Sequence, residues 1–386
     1  MKKVLAIILC IAMVAAIALT GCGGGDGGSG SDSGSGGTVS GENAGNVATV
    51  ITSALGDKSF SDSCWAGLNE IADKYGVEID YYEMKQDQTK AQPAMIEYAE
   101  SGNYNIIVTG TYSTVENAQA VIEMFPNQKF IHYDASVQTG ETPYANAFSM
   151  EYKQNEGSYL VGWLAGKLTQ TGTIAALGAS EIDVIWDFIY GYLEGAKAAK
   201  DDIKVVTSFV GDWETVSKAK DLAKDAMSQN ADVLFHIAGG AGAGMFEAIA
   251  ESGKTGVWGI GVDSDQYAEY EEDKPEIANI ILTSMVKNVG NSLVWAYEQE
   301  VAGTLEWGTH SVLGIAEDTV GPAESGNFLN LDKALMDEYN QVKQDIVDGK
   351  ITVGTAFGHT LEEQKAFADS FRSEERRVGK ECRSRW

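Results

Sequence analysis

From residue 46 onward, apolar positions fall into two alternating patterns. Short β-branched and apolar runs over 46–51, 77–82, 105–109 and 129–133 predict strands. Between them, three- and four-residue spacing, as at Trp65, Leu68 and Ile71, predicts helices over 61–75, 88–100 and 114–124. This βαβα rhythm implies a parallel sheet with helices on both faces. The rhythm then restarts, with an extended stretch over 146–150 and strands over 173–177, 204–210, 232–237 and 257–262. Helices are predicted over 156–168, 184–199, 218–227 and 244–251. A β-rich stretch over 278–284 is expected to cross back to the first unit. A helix over 287–300, a strand over 307–315, a helix over 333–347 and a short final strand over 349–353 follow. Two tandem α/β units predict two lobes facing a cleft. The expected division is 46–149 plus 279–320 for lobe 1, and 150–278 plus 321–371 for lobe 2.

The ends read differently. Lys2 and Lys3 precede an apolar run over 4–19, short for a spanning helix and consistent with a secretory signal over 1–21. Leu19-Thr20-Gly21-Cys22 resembles the bacterial lipobox, in which the cysteine receives a diacylglyceryl group. Residues 22–45 then form a lipidated start and a tether. Over 23–37 it is almost pure Gly, Ser and Asp, which cannot bury apolar area. At the other end, 372–386 carries six basic and three acidic residues after an acidic chain. That string resembles the in-frame translation of a sequencing-library adapter and is read as an artefact, which leaves the true C-terminus at or beyond Phe371. The alternative is a basic arm.

Composition narrows the function. A formal net charge of -28 over 386 residues disfavours nucleic acid as a partner, because phosphate binding needs a basic surface. Of four cysteines, Cys10 lies in the signal, Cys22 in the lipobox and Cys382 in the tail. Only Cys64 remains in the fold, so no internal disulfide is expected. Four His and one folded Cys make a multi-ligand metal centre a poor expectation, and no cofactor is expected. No Gly-x-Ser-x-Gly elbow, His-Glu-x-x-His or cysteine cluster is present, which argues against an enzyme.

A lipid anchor, a tether and two α/β lobes point to a solute-binding lipoprotein. Ligands in open α/β sheets bind beyond the carboxyl ends of strands, so polar and aromatic residues there are candidates. Asp57 and Phe60 follow the first strand. The carboxylate can accept from hydroxyls or amines and the ring can stack, or Asp57 can simply cap the helix. Asp134 ends the strand over 129–133. Trp186 or Phe188, at a helix start, can face Phe60, the alternative being core packing for either ring. Gly239 and Gly240 permit close backbone approach but lack P-loop spacing. Asp263 and Asp265 suit vicinal diols, and Lys287 can donate to ribose oxygens or balance them.

Asp57-x-Ser-Phe60, the strand ending at Asp134, Glu156-Gly-Ser-Tyr-Leu-Val-Gly162, Gly239-Gly240, Gly261-Val-Asp-Ser-Asp-Gln266 and Ser284-Met-Val-Lys287 occur in order. Together they resemble the basic membrane protein family of lipoproteins, the purine-nucleoside receptor group of ABC importers. The resemblance implies a type I periplasmic-binding-protein fold with three crossovers between lobes. It implies stacking by Phe60 and Phe188, base contacts by Asp57 and Asp134, and ribose contacts by Asp263 and Lys287. It departs at Ser61, where the family usually has Asn. The expected hinges are 148–150, 278–283 and 317–321. The implied partners are a small-molecule ligand, an ABC permease with its ATPase, and the membrane through Cys22. The protein is expected to be a monomer on the extracytoplasmic face of the cell membrane. Import of a sugar or other polar solute, and ligand sensing for a signalling partner, are the alternatives.

Overall fold

The computed structural model describes residues 44–138 and 143–371. Cys22, the signal, most of the tether and the 372–386 tail lie outside the described residues. The first half runs β1 (Val47–Ile51), α1 (Phe60–Tyr75), β2 (Ile79–Glu83), α2 (Ala91–Ser101), β3 (Ile106–Gly110), α3 (Val115–Met124), β4 (Lys129–Tyr133) and β5 (Ala147–Tyr152). The second runs α4 (Gln154–Leu168), β6 (Thr173–Gly178), α5 (Asp183–Ala199), β7 (Lys204–Phe209), α6 (Val216–Ser228), β8 (Val233–Ile237), α7 (Ala243–Ser252) and β9 (Trp258–Asp263). The remainder is α8 (Gln266–Glu271), α9 (Pro275–Ala278), β10 (Ile281–Lys287), α10 (Val289–Val301), β11 (His310–Leu313), β12 (Val320–Pro322), α11 (Lys333–Val347) and α12 (Leu361–Asp369).

Two six-stranded sheets result, in the orders β11-β5-β4-β3-β1-β2 and β12-β10-β9-β8-β6-β7. Every pairing is parallel except β10 with β12. β1, β3 and β8 are buried at every residue, as expected of strands covered on both faces. The two-lobed α/β fold is therefore present.

The lobe boundaries differ from the expectation at the first and second crossings, most at the second. The stretch after residue 278 does not return to the first sheet. β10 pairs with β9 in the second, and the chain crosses only after Lys287, through Asn288. The reason is burial on both faces: six of the seven β10 residues are buried, which suits an interior strand beside β9. The first crossing is at Lys153, after a β5 that runs two residues past Met150, and the third lies between Leu313 and Val320. These crossings touch. Lys153 N–H donates to Leu313 O (2.8 Å), and Asn288 N–H donates to Thr319 O (2.8 Å). Residues 349–353 are not a strand, and α12 is a helix the apolar pattern does not predict.

The second lobe's core is built on α5, twelve of whose residues are buried. It crosses α4 so closely that side chains do not fit. A Cβ at Gly191 would meet Asn155 O at 2.0 Å, and one at Gly195 would meet Tyr159 O at 2.0 Å. The outer face of α5 takes the C-terminal segment. The buried Asp187 carboxylate accepts from Gln154 Nε2 (2.6 Å), Thr355 Oγ1 (2.5 Å) and Ala356 N–H (2.9 Å). Clamped on both sides, α5 presents a fixed N-terminal turn to the cleft.

Candidate functional site

The carboxyl ends of the strands face one cavity of about 570 Å³. The first lobe contributes the loop after β1, the turn after β3 and Asp134 after β4. The second contributes α5, the loop after β7, the glycine loop after β8, Asp263 and Lys287. Of the ten residues expected from sequence, Asp57, Phe60, Asp134, Phe188, Gly239, Gly240, Asp263 and Lys287 line this cavity.

Lys287 is the centre of the wall. Its side chain is 3% exposed, and Nζ lies 2.7 Å from Asp134 Oδ1, so the ion pair joins β10 of one lobe to the end of β4 in the other. The ammonium also sits 4.9 Å from the centroid of Phe60, 5.2 Å from that of Phe188 and 5.7 Å from that of Tyr152. Aromatic faces attract a cation, so three rings and one carboxylate fix this charge. Asp263 is the second buried carboxylate. Burial pushes it up to about 6, against the pull of Lys287 and a hydrogen bond from Ser59 Oγ (2.6 Å).

Asp134 and Asp263 occupy similar places, just after and at the end of the third strand of each sheet order, and both have left-handed backbones (φ 65° and 66°). Aspartate tolerates that region. Thr111, after β3, does not do so readily, yet has φ 75°. Its carbonyl is held by His132, whose ring is buried and neutral, its pKa depressed to about 4 by burial. Nε2–H donates to Thr111 O (3.2 Å), and Nδ1 accepts from the Thr109 hydroxyl (2.7 Å).

Asp57 lines the cavity, but its carboxylate also caps α1. It accepts from the backbone N–H groups of Ser59 (2.9 Å), Ser61 (2.9 Å) and Asp62 (3.2 Å). Ser61 is buried, its hydroxyl 2.6 Å from that of Ser53. Gly239 and Gly240 lie beneath Trp213. Gly239 has φ 51°, and a Cβ there would stand 3.5 Å from the indole.

Two expected residues are elsewhere. Trp186 is 2% exposed and packs on Phe209 at 5.0 Å. Residues two apart on a helix point about 200° apart, so with Phe188 in the cavity Trp186 belongs to the core. Asp265 caps α8, accepting from Ala268 N–H (3.4 Å). Sequence reasoning missed Trp213 and Glu214 after β7, Tyr112 and Ser113 after β3, and Lys85, Gln86 and Gln88 after β2, all of which line the cavity. Each follows a strand, so the same positional rule would have found them. Among the described residues no group of three or more His, Cys, Asp or Glu is arranged to hold a metal ion.

The comparisons agree with this geometry. The family of PnrA-like ABC transporter substrate-binding proteins matches residues 44–356. The CD4+ T-cell-stimulating antigen of Listeria monocytogenes is 30% identical over 311 residues, covering 78% of this chain and 85% of its own. The ABC transporter nucleoside-binding protein BmpA of Lactococcus lactis is 30% identical over 320 residues, covering 79% and 88%. Basic membrane protein A of Borreliella burgdorferi is 27% identical over 314 residues, covering 81% and 88%. A solute-binding protein of an Aeropyrum pernix ABC transporter superposes with a TM-score of 0.73 at 23% identity, over 84% of this chain and 98% of that one, a likeness of fold. With two parallel-sheet lobes, a cavity at the strand ends and a family match across nearly the whole described fold, the chain belongs to the PnrA-like substrate-binding proteins of ABC transporters.

Proposed function

We propose that this chain captures a nucleoside, with a purine base, and hands it to a membrane permease driven by an ATPase. The observation that carries the reading is the pair of rings from opposite lobes, Phe60 and Phe188, flanking one buried ammonium and its two carboxylates. Flat aromatic walls suit a base, and the Asp263–Lys287 edge suits adjacent ribose hydroxyls, which both donate and accept. In the proposed pose Asp57 and Asp134 contact the base. The cavity volume falls within the range of small-molecule sites, roughly 300–1,000 Å³. The name of the Lactococcus relative supports the same ligand class.

Capture works by closure. Groups from both lobes contact one ligand, so ligand stabilises the closed state, and the chain bends where it crosses, at Lys153, Asn288 and the segment between Leu313 and Val320. A diacylglyceryl group on Cys22 holds the monomer to the extracytoplasmic face of the cell membrane, since two acyl chains anchor stably where one does not.

Thermal denaturation against a panel of nucleosides, bases and sugars tests the ligand class. Ligand at 100 times its dissociation constant adds about 2.7 kcal/mol to the folded state. A shift with inosine, guanosine or adenosine that is lost in Phe60→Ala supports the proposal. A shift with sugars alone replaces the ligand class, and no shift with any solute removes the capture role.

A further inference from the structure

A second contact joins the lobes outside the cavity. The loop between β1 and α1 is a tightly built plug. Five backbone N–H groups, those of Gly56, Lys58, Ser59, Ser61 and Asp62, donate to the carboxylates of Asp57 and Asp62. The loop presents Lys58, with left-handed backbone (φ 50°), to the second lobe.

The second lobe holds a matching receptor. The Lys58 carbonyl accepts from Ser264 Oγ (2.7 Å) and Gln266 Nε2 (3.0 Å). The Gln266 amide is itself locked. Its Oε1 accepts from Val262 N–H (3.0 Å) and from His236 Nε2 (2.8 Å), a buried ring that burial keeps neutral. The Lys58 ammonium donates to Glu269 O (2.7 Å), lies 3.6 Å from the Glu269 carboxylate, and sits 5.1 Å from the centroid of Tyr270. Lys58, Ser264, Gln266, Glu269 and Tyr270 are absent from the cavity wall.

We propose that Lys58, docked on Ser264, Gln266, Glu269 and Tyr270, is a latch that sets the balance between open and closed lobes, and so how long a captured ligand stays, without touching it. This rests on the capture-by-closure reading. A ligand released only from the open form dissociates at a rate proportional to the open population, so closing the lobes lengthens its stay. The latch partners are pre-positioned, so little ordering is needed when they meet.

The test compares the full-length chain with its Lys58→Met and Ser264→Ala variants. Small-angle scattering without ligand reads the lobes, the unchanged tails cancelling in the comparison. Stopped-flow dissociation of inosine and of guanosine reads residence time. The expected result for Lys58→Met is a larger ligand-free radius of gyration and dissociation faster by about tenfold, with association equal or faster because more of the ligand-free protein is open. Ser264→Ala moves both in the same direction by about threefold in rate. Equal radii and equal dissociation rates in all three proteins overturn the latch. If neither nucleoside binds the parent, that counts against the nucleoside reading, and scattering alone decides the latch: expansion of Lys58→Met supports it, equal radii overturn it.

Discussion

Replacing Asp263 by Asn is predicted to stabilise the fold at neutral pH. The parent carboxyl is buried and titrates near 6, against an ordinary value of 3.8. The folded state therefore binds this proton more tightly than the unfolded state does. Between about pH 4 and pH 6 the folded chain carries more protons here, so this group's contribution to stability falls as pH rises, and the loss is complete above the folded value. About two units at 1.36 kcal/mol each gives about 3 kcal/mol of penalty at neutral pH. Asn is neutral throughout, and its side-chain oxygen still accepts from Ser59 Oγ. Other groups titrate in the same window. His132 and His236 are both pushed down to about 4 by burial, and their stabilising effect is lost as pH falls. They are common to both proteins and cancel in the difference. Urea denaturation of ligand-free parent and Asp263→Asn should show equal stability near pH 4 and an advantage of about 3 kcal/mol for the variant near pH 7.5. A difference that is the same at both pH values, or a variant less stable near pH 7.5, refutes the argument. Nucleoside affinity should fall at the same time, since the strain belongs to the site.

Other changes act on the same framework. Lys287→Met leaves Asp134 and Asp263 without their shared cation, and should cost about 3–5 kcal/mol in denaturation near pH 7.5, part of it recovered near pH 5 as Asp263 protonates; an unchanged midpoint contradicts this. Thr111→Gly should raise the unfolding free energy by about 1 kcal/mol, because glycine accepts φ 75° without steric cost, and a loss of stability goes against it. Gly195→Ala places a methyl 2.0 Å from Tyr159 O between α4 and α5, so denaturation should show a loss of more than about 2 kcal/mol; a neutral result would mean the helices separate freely.

Most strands were legible because each is a short apolar run with turn residues at its ends, and eight cavity residues were reached by looking just past those runs. What failed was non-local. The apolar run of β10 says that the strand is buried but not which sheet it joins, so the crossing was expected near residue 278 and occurs after Lys287. Trp186 and Phe188 lie on a helix that is buried at every residue from Val184 to Leu193 and apolar there except at Asp187, so hydrophobicity does not reveal which ring faces the cleft. Trp213 was within reach of the positional rule, since it follows β7, although nothing local ties it to Gly239. For α12 the signal was present: Thr360 and Glu363 form a capping box ahead of Leu361–Asp369. The Lys58 latch joins residues 211 positions apart, beyond any local pattern.

The central claim is capture of a nucleoside between Phe60 and Phe188, and calorimetric titration tests it most directly. Guanosine, inosine and adenosine would be titrated into the parent and into Phe60→Ala and Phe188→Ala. The account predicts saturable one-to-one binding to the parent by at least one of them, weakened about tenfold or more in each variant as stacking area is lost. Absence of binding to the parent, or equal affinity in all three proteins, contradicts it.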